Sequence, residues 1–253
     1  MIEVIILSVV QGITEFIPVS SSAHLILISK YFNFNNSSLT LDVSLHIGSL
    51  LAIIVYFKKD IINFTKNKNI FLKIIISSIP TMIVGYFLIH FSIIDYLRDY
   101  KLIGWMTIIF GVLLYFSDLK KKTRSIQKNY DFKTAIYIGL FQILSLAPGV
   151  SRAGIVLTGA RFFNFSRVDS VKISFLMSIP ILLVVSIFNL KSLLMENNFE
   201  FSFINFLGMG FSFIFSYLTI RFFLNFLKEF SLVYFVVYRI FLGIIILYYS
   251  YQL

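Results

Sequence analysis

Cysteine is absent from this chain of 253 residues. That excludes disulfides, thiolate metal sites and a cysteine nucleophile. Charge is scarce: Asp, Glu, Lys and Arg make up 13% of the residues, and only 12 of those are acidic. No Lys or Arg precedes Lys30. The basic flank of a cleavable signal peptide is therefore missing, and the first helix is expected to be retained. The regular alternation of polar and apolar residues that builds a membrane β-barrel is missing as well.

What fills the chain is apolar. Hydrophobic residues reach 58%, against about 45–50% in soluble domains. Apolar runs of about 16–20 residues recur, a length that crosses a hydrocarbon core of roughly 30 Å. The expected fold is an all-α polytopic membrane protein forming a single integral domain over 1–253. The net charge of +10 does not point to nucleic acid. The charges fall in short loops between apolar runs, where they act as topology signals and contacts to anionic lipids.

Six conventional spans are read at 41–57, 74–90, 102–117, 173–190, 203–220 and 231–250. Two further apolar regions, 1–29 and 134–165, are interrupted by polar centres containing Pro18 and Pro148. Loops 58–73, 118–133, 161–172 and 221–230 carry 16 Lys and Arg, while 30–40, 91–101 and 191–202 carry 4. Placing the first group inside the cell satisfies the positive-inside bias. Region 134–165 must then enter and leave from the cytoplasmic side, and 1–29 from the outer side. Arms this short predict re-entrant helical hairpins. The halves, 1–117 and 134–253, are expected to be inverted repeats. Gln11 and Ser20 are nine apart, as are Gln142 and Ser151, and Ser78-Ile79-Pro80 recurs as Ser178-Ile179-Pro180, each near the start of a span. Broken helices meeting near the midplane are a known architecture of such repeats.

The interruption in the first region reads QGITEFIPVSSSAH over 11–24. Ionisable groups persist at membrane depth only when buried in protein or facing a wet cavity. Glu15, Ser20, Ser21, Ser22, His24, Ser151 and Arg152 are therefore expected to share one cavity. Arg152 presents a planar fork suited to phosphate oxygens. The stretches Pro18–Ser22 and Pro148–Arg152, with Gly149, each precede a helical arm whose backbone N–H groups favour anions. Glu15 and His24 could serve as acid, base or metal ligand, and Ser21 or His24 as nucleophile. His46 and His90 read as span-terminus residues, and Arg239 as a side chain snorkelling to the inner surface. On the residues alone, transport remains the rival: Glu15 and His24 as a proton relay in a secondary transporter or lipid-phosphate flippase.

The 11–24 stretch resembles the first motif of undecaprenyl-diphosphate phosphatases of the BacA/UppP type, EGxTEFLPVSSxGH. Pro148-Gly149-Val150-Ser151-Arg152-Ala153-Gly154 resembles their second, PGxSRSG, and 174–180 is similar to a further family pattern. The resemblance implies hydrolysis of undecaprenyl diphosphate to undecaprenyl phosphate and inorganic phosphate, recycling the lipid carrier of cell-wall polymers and conferring bacitracin resistance. It implies a bacterial inner-membrane location with a site open to the outer face, and Mg²⁺ or Ca²⁺ as cofactor. Carried over by position, Glu15, Ser21, His24 and Arg152 match the family's functional residues. Gln11 stands where many relatives have Glu, leaving Glu15, with weaker help from Gln11 and the substrate phosphates, to hold the cation. Ala153 and Ala23 replace a common Ser and a common Gly. The polyprenyl tail would lie in apolar grooves facing membrane lipid, and polar surfaces between spans could support a homodimer.

Overall fold

Backbone polar groups in a hydrocarbon core must be satisfied within the chain, which leaves helices as the default element for sequences this apolar. The computed structural model describes residues 1–32, 39–66, 68–195 and 202–252. Among these, the helices are α1 (Ile2–Thr14), α2 (Ser21–Tyr31), α3 (Leu39–Tyr56), α4 (Lys58–Lys66), α5 (Lys68–His90), α6 (Ile93–Tyr96) and α7 (Tyr100–Asp118). They continue as α8 (Ile126–Asn129), α9 (Phe132–Ile143), a 3₁₀ turn (Leu144–Leu146), α10 (Arg152–Phe162), α11 (Arg167–Met195), α12 (Phe203–Glu229) and α13 (Val233–Gln252). Five of them, α5, α7, α11, α12 and α13, are long and apolar enough to cross a membrane. Lys30 and Lys191, the cations counted in 30–40 and 191–202, are described, while residues 33–38 and 196–201 of those loops lie outside the described residues.

Several helices run further than their apolar stretches. α5 begins at Lys68 and α11 at Arg167, so the two Ser-Ile-Pro segments sit well inside their helices rather than near the starts. α12 continues past Arg221 to Glu229. Lys, Arg and Glu are good helix formers whose long stems reach polar surroundings. A charge therefore ends the apolar run without ending the helix. For the same reason the described part of 58–73, read as a loop, is α4 and the first six residues of α5.

Small residues let the helices approach. At the α3–α12 contact, Ser216 Oγ donates to Ser49 Oγ at 3.0 Å and Ser212 Oγ to the Leu45 carbonyl at 2.7 Å. Hydroxyl bonds and small side chains are how helices associate where lipid is as apolar as leucine. α1 lies on α12 and α9 lies on α5, while α3 touches α11 and α7 touches α13. The two halves are therefore interleaved, with α1 and α3 of the first held against α12 and α11 of the second, and α9 of the second held against α5 of the first.

A charged knot closes one end. Asp118 receives a two-pronged contact from Arg167, with both distances 2.7 Å, and also accepts from the Leu232 N–H at 3.2 Å. Arg161 is fully buried and donates to the carbonyls of Asp118, Lys120 and Phe165.

Candidate active site

α1 stops at Thr14, and the chain turns through 15–20 before α2 begins at Ser21. α9 stops at Ile143, passes through the 3₁₀ turn, and resumes as α10 at Arg152. Both interruptions end on a serine with left-handed backbone, Ser20 at φ 76° and Ser151 at φ 71°. These are the two serines that stand nine residues after Gln11 and Gln142. Left-handed backbone is uncommon outside glycine and clusters at functional sites. The strained serine in each turn aims the next helix start at a shared point. Ser151 caps α10, its Oγ accepting from the Gly154 N–H at 3.2 Å.

The shared point is a cavity of about 110 Å³. The first turn supplies Thr14, Glu15, Ser20, Ser21 and Ser22, and the second supplies Ser145, Ser151 and Arg152. Glu15 lies at its centre. Oε1 accepts from Arg152 Nη2 at 2.8 Å, and Oε2 accepts from Ser21 Oγ at 2.7 Å and Gln11 Nε2 at 3.1 Å. The side chains of the ion pair are only 11% and 9% exposed. A desolvated pair of this kind persists when further hydrogen bonds satisfy the remaining lone pairs and protons. Arg152 Nη1 donates to the Ser174 carbonyl at 3.3 Å, which ties the guanidinium to α11. Ser20 Oγ and Ser22 Oγ are 3.3 Å apart. Two seryl clusters, one guanidinium and one carboxylate thus converge from the two halves of the chain.

His24 is placed differently from expectation. It is absent from the cavity lining and sits behind it. Its Nδ1 is 2.7 Å from the Ser20 carbonyl, so Nδ1 carries the proton, and Nε2 accepts from the Tyr238 hydroxyl at 2.7 Å. Both ring nitrogens are occupied, and the ring borders an apolar chamber of about 460 Å³ with Leu27, Leu242 and Tyr249. Gly149 also lies behind the cavity, against α7. At φ 93°, a Cβ there would stand 2.5 Å from the Ile103 carbonyl oxygen. Only glycine allows this close approach.

Two residues read from the sequence as structural, Arg239 and His46, belong to this region. Arg239 does not snorkel. It is fully buried, donating to the Pro18 carbonyl at 3.3 Å, the Gly149 carbonyl at 2.9 Å and the Thr107 carbonyl at 3.1 Å. It therefore ties both interrupted turns to α7. The available signal was a lone cation inside an apolar span, which is functional by default. His46 Nδ1 lies 3.0 Å from Gln11 Nε2. His90 is exposed and stacks on Tyr86, as suits a span end.

The family described as "Bacitracin resistance protein BacA" matches residues 4–245. An undecaprenyl-diphosphatase of Pelagibacter ubique (strain HTCC1062) is 48% identical over 246 residues, covering 97% of this chain and 96% of that protein. One of Campylobacter curvus (strain 525.92) is 39% identical over 264 residues, covering 98% of each. One of Saccharophagus degradans is 37% identical over 251 residues, covering 94% of each. A match of this length, running through both interrupted turns, places the chain in the BacA bacitracin resistance protein family.

Proposed function

We infer that this chain hydrolyses undecaprenyl diphosphate to undecaprenyl phosphate and inorganic phosphate. The reaction regenerates the lipid carrier for cell-wall synthesis, and by removing the diphosphate form it confers bacitracin resistance. The relatives named above support the activity. The observation that carries its chemistry is the Ser21–Glu15–Arg152 constellation drawn from both halves.

Ser21 Oγ stands 2.7 Å from a carboxylate oxygen, the arrangement of a nucleophile beside its base. Ser21 Oγ attacks the terminal phosphorus while its proton passes to Glu15 Oε2. The bond from that phosphorus to the bridging oxygen breaks, and undecaprenyl phosphate leaves with the electron pair. Glu15 passes that proton to solvent. Water then attacks the phosphoserine as one of its protons goes to Glu15 Oε2. The bond from phosphorus to Ser21 Oγ breaks, Oγ takes the proton from Glu15, and inorganic phosphate leaves. Arg152, with the N–H groups opening α2 and α10, holds the charge that gathers on the equatorial oxygens. His24 supports this geometry from behind by holding the carbonyl of the strained Ser20.

A divalent cation, Mg²⁺ or Ca²⁺, fits as a partner of the diphosphate. Gln11 Oε1 is buried, and among the described residues it has no hydrogen-bond partner. Such cations take one or two protein oxygens together with substrate phosphates. Glu15 and Gln11 would hold it, and its contribution would be neutralisation of phosphate charge. Among the described residues no cluster of three or more His, Cys, Asp or Glu offers an all-protein site.

The topology that suits this reading has six spans, with α3 as the sixth, and two re-entrant hairpins, α1–α2 and α9–α10. Their arms of 11 to 13 residues reach only about 16–20 Å at 1.5 Å per residue, short of a core of roughly 30 Å. The crossed packing of α1 on α12 and α9 on α5 favours inverted repeats in one membrane domain. The site would open to the outer face of the bacterial inner membrane.

Phosphate release from undecaprenyl diphosphate by the purified chain tests the reading. Ser21→Ala, Glu15→Gln and Arg152→Ala should each lower kcat by about 10²-fold or more. Normal turnover in Ser21→Ala would remove the covalent step. No release by folded wild type would return lipid-phosphate transport as the working assignment.

A further inference from the structure

We infer that His46 is a positioning residue of this site, acting on Glu15 through the side-chain amide of Gln11; the inference rests on the phosphatase reading above. α3 carries the imidazole to the amide, and Nδ1 stands 3.0 Å from Gln11 Nε2. The same amide nitrogen donates to Glu15 Oε2 at 3.1 Å. An amide oxygen facing Glu15 would set acceptor against acceptor, so the nitrogen must face the carboxylate. Its two hydrogens are then both committed, one to Glu15 and one to His46. His46 Nδ1 is therefore an acceptor, and the ring proton belongs on Nε2.

Gln11 is fully buried, and among the described residues its Oε1 has no hydrogen-bond partner. Nothing on the oxygen side holds the amide against rotation. The anchor is His46, which sits on a helix fixed close by. Gly48 of α3 packs against α12, where a Cβ would stand 2.9 Å from Ser212 Cβ, and Ser49 bonds the serines of α12. Remove the acceptor at 46 and a buried N–H loses its partner, leaving the amide free to turn away from Glu15. With His46 present, Gln11 supports the carboxylate and keeps Oε1 free to face a cation or substrate donor. Residues one step removed from a reactive group typically influence it about 10–100-fold through such orientation.

The test uses the full chain in detergent and phosphate release from undecaprenyl diphosphate. His46→Leu keeps a side chain of similar size without an acceptor, and His46→Asn restores a carbonyl acceptor. His46→Leu should lower kcat about 10-fold while KM stays within about twofold, and His46→Asn should recover most of the loss. In a Gln11→Ala background, His46→Leu should change kcat less than about twofold, because the relay is already gone. If His46→Leu does not fold, His46→Phe takes its place with the same expected loss. Wild-type kcat in the acceptor-free variant, equal loss in the Leu and Asn variants, or an undiminished loss in the Gln11→Ala background would each overturn the inference alone. No release by wild type would overturn the phosphatase reading and this inference with it.

Discussion

A buried guanidinium with three carbonyl partners and no carboxylate is a costly feature at membrane depth. Arg239 is one. Its contacts to the carbonyls of Pro18 and Gly149 link turns that belong to opposite halves of the chain, so it sets their separation. Arg239→Ala leaves the buried Pro18 carbonyl without its guanidinium partner and the Gly149 carbonyl with only a 3.5 Å contact from Thr107 Oγ1, and a buried acceptor left unpaired costs about 1–3 kcal/mol. The thermal midpoint in detergent should fall, and kcat should fall further than stability accounts for. Arg239→Lys supplies a point charge where a planar fork is needed and should recover stability better than turnover. Equal recovery of both would show that Arg239 serves the fold alone. His24 and Arg239 also mark the limit of residue-level reading. Glu15 and Arg152 were legible because a charge inside an apolar run must face protein or a wet cavity. The partner of His24 is Tyr238, 214 residues away, and no local pattern announces a contact of that range. Arg239 carried the same signal as Glu15, but its place in an otherwise ordinary span invited the snorkelling reading.

At the scale of elements, the interrupted arms were readable from proline, serine and charge at 11–24 and 145–154. The full lengths of α5, α11 and α12 were not, because hydropathy follows the bilayer and the helix does not stop there. What holds an arm in place is close approach to a long helix of the other half. Gly139 of α9 faces α5 so tightly that an added Cβ would fall on the carbonyl oxygen of Ser77. Backbone cannot yield as a flexible side chain can, so α9 must lift from α5. Overpacking of this sort costs typically about 1–3 kcal/mol. Gly139→Ala should therefore lower the thermal midpoint, and because α9 leads into the turn bearing Ser145, Ser151 and Arg152, it should also raise KM. Gly210 is a matched control, since a Cβ there meets nothing within 4 Å. Gly210→Ala should leave both quantities near wild type, and a Gly139→Ala protein as stable as that control would show that the arm is loosely docked.

The whole molecule poses a question of sidedness. Sixteen Lys and Arg lie in the loops assigned to the inside and four in those assigned to the outside, and the knot of Asp118, Arg161 and Arg167 falls at the inner end by that assignment. The exposed Tyr96, 82% accessible, then lies outside by the same assignment. The complete lack of cysteine makes this directly measurable, because any introduced thiol is the only one present. Tyr96→Cys should react with a membrane-impermeant maleimide in intact spheroplasts, and Lys121→Cys only after the membrane is opened. Ser22→Cys decides more. It lines the cavity shared by the two interrupted turns, on the α1–α2 segment proposed to be re-entrant. Labelling of Ser22→Cys from outside, suppressed by excess inorganic phosphate, would join the site to the outer face. Labelling only from inside would reverse the proposed orientation of the α1–α2 segment, and with it the side to which the cavity opens.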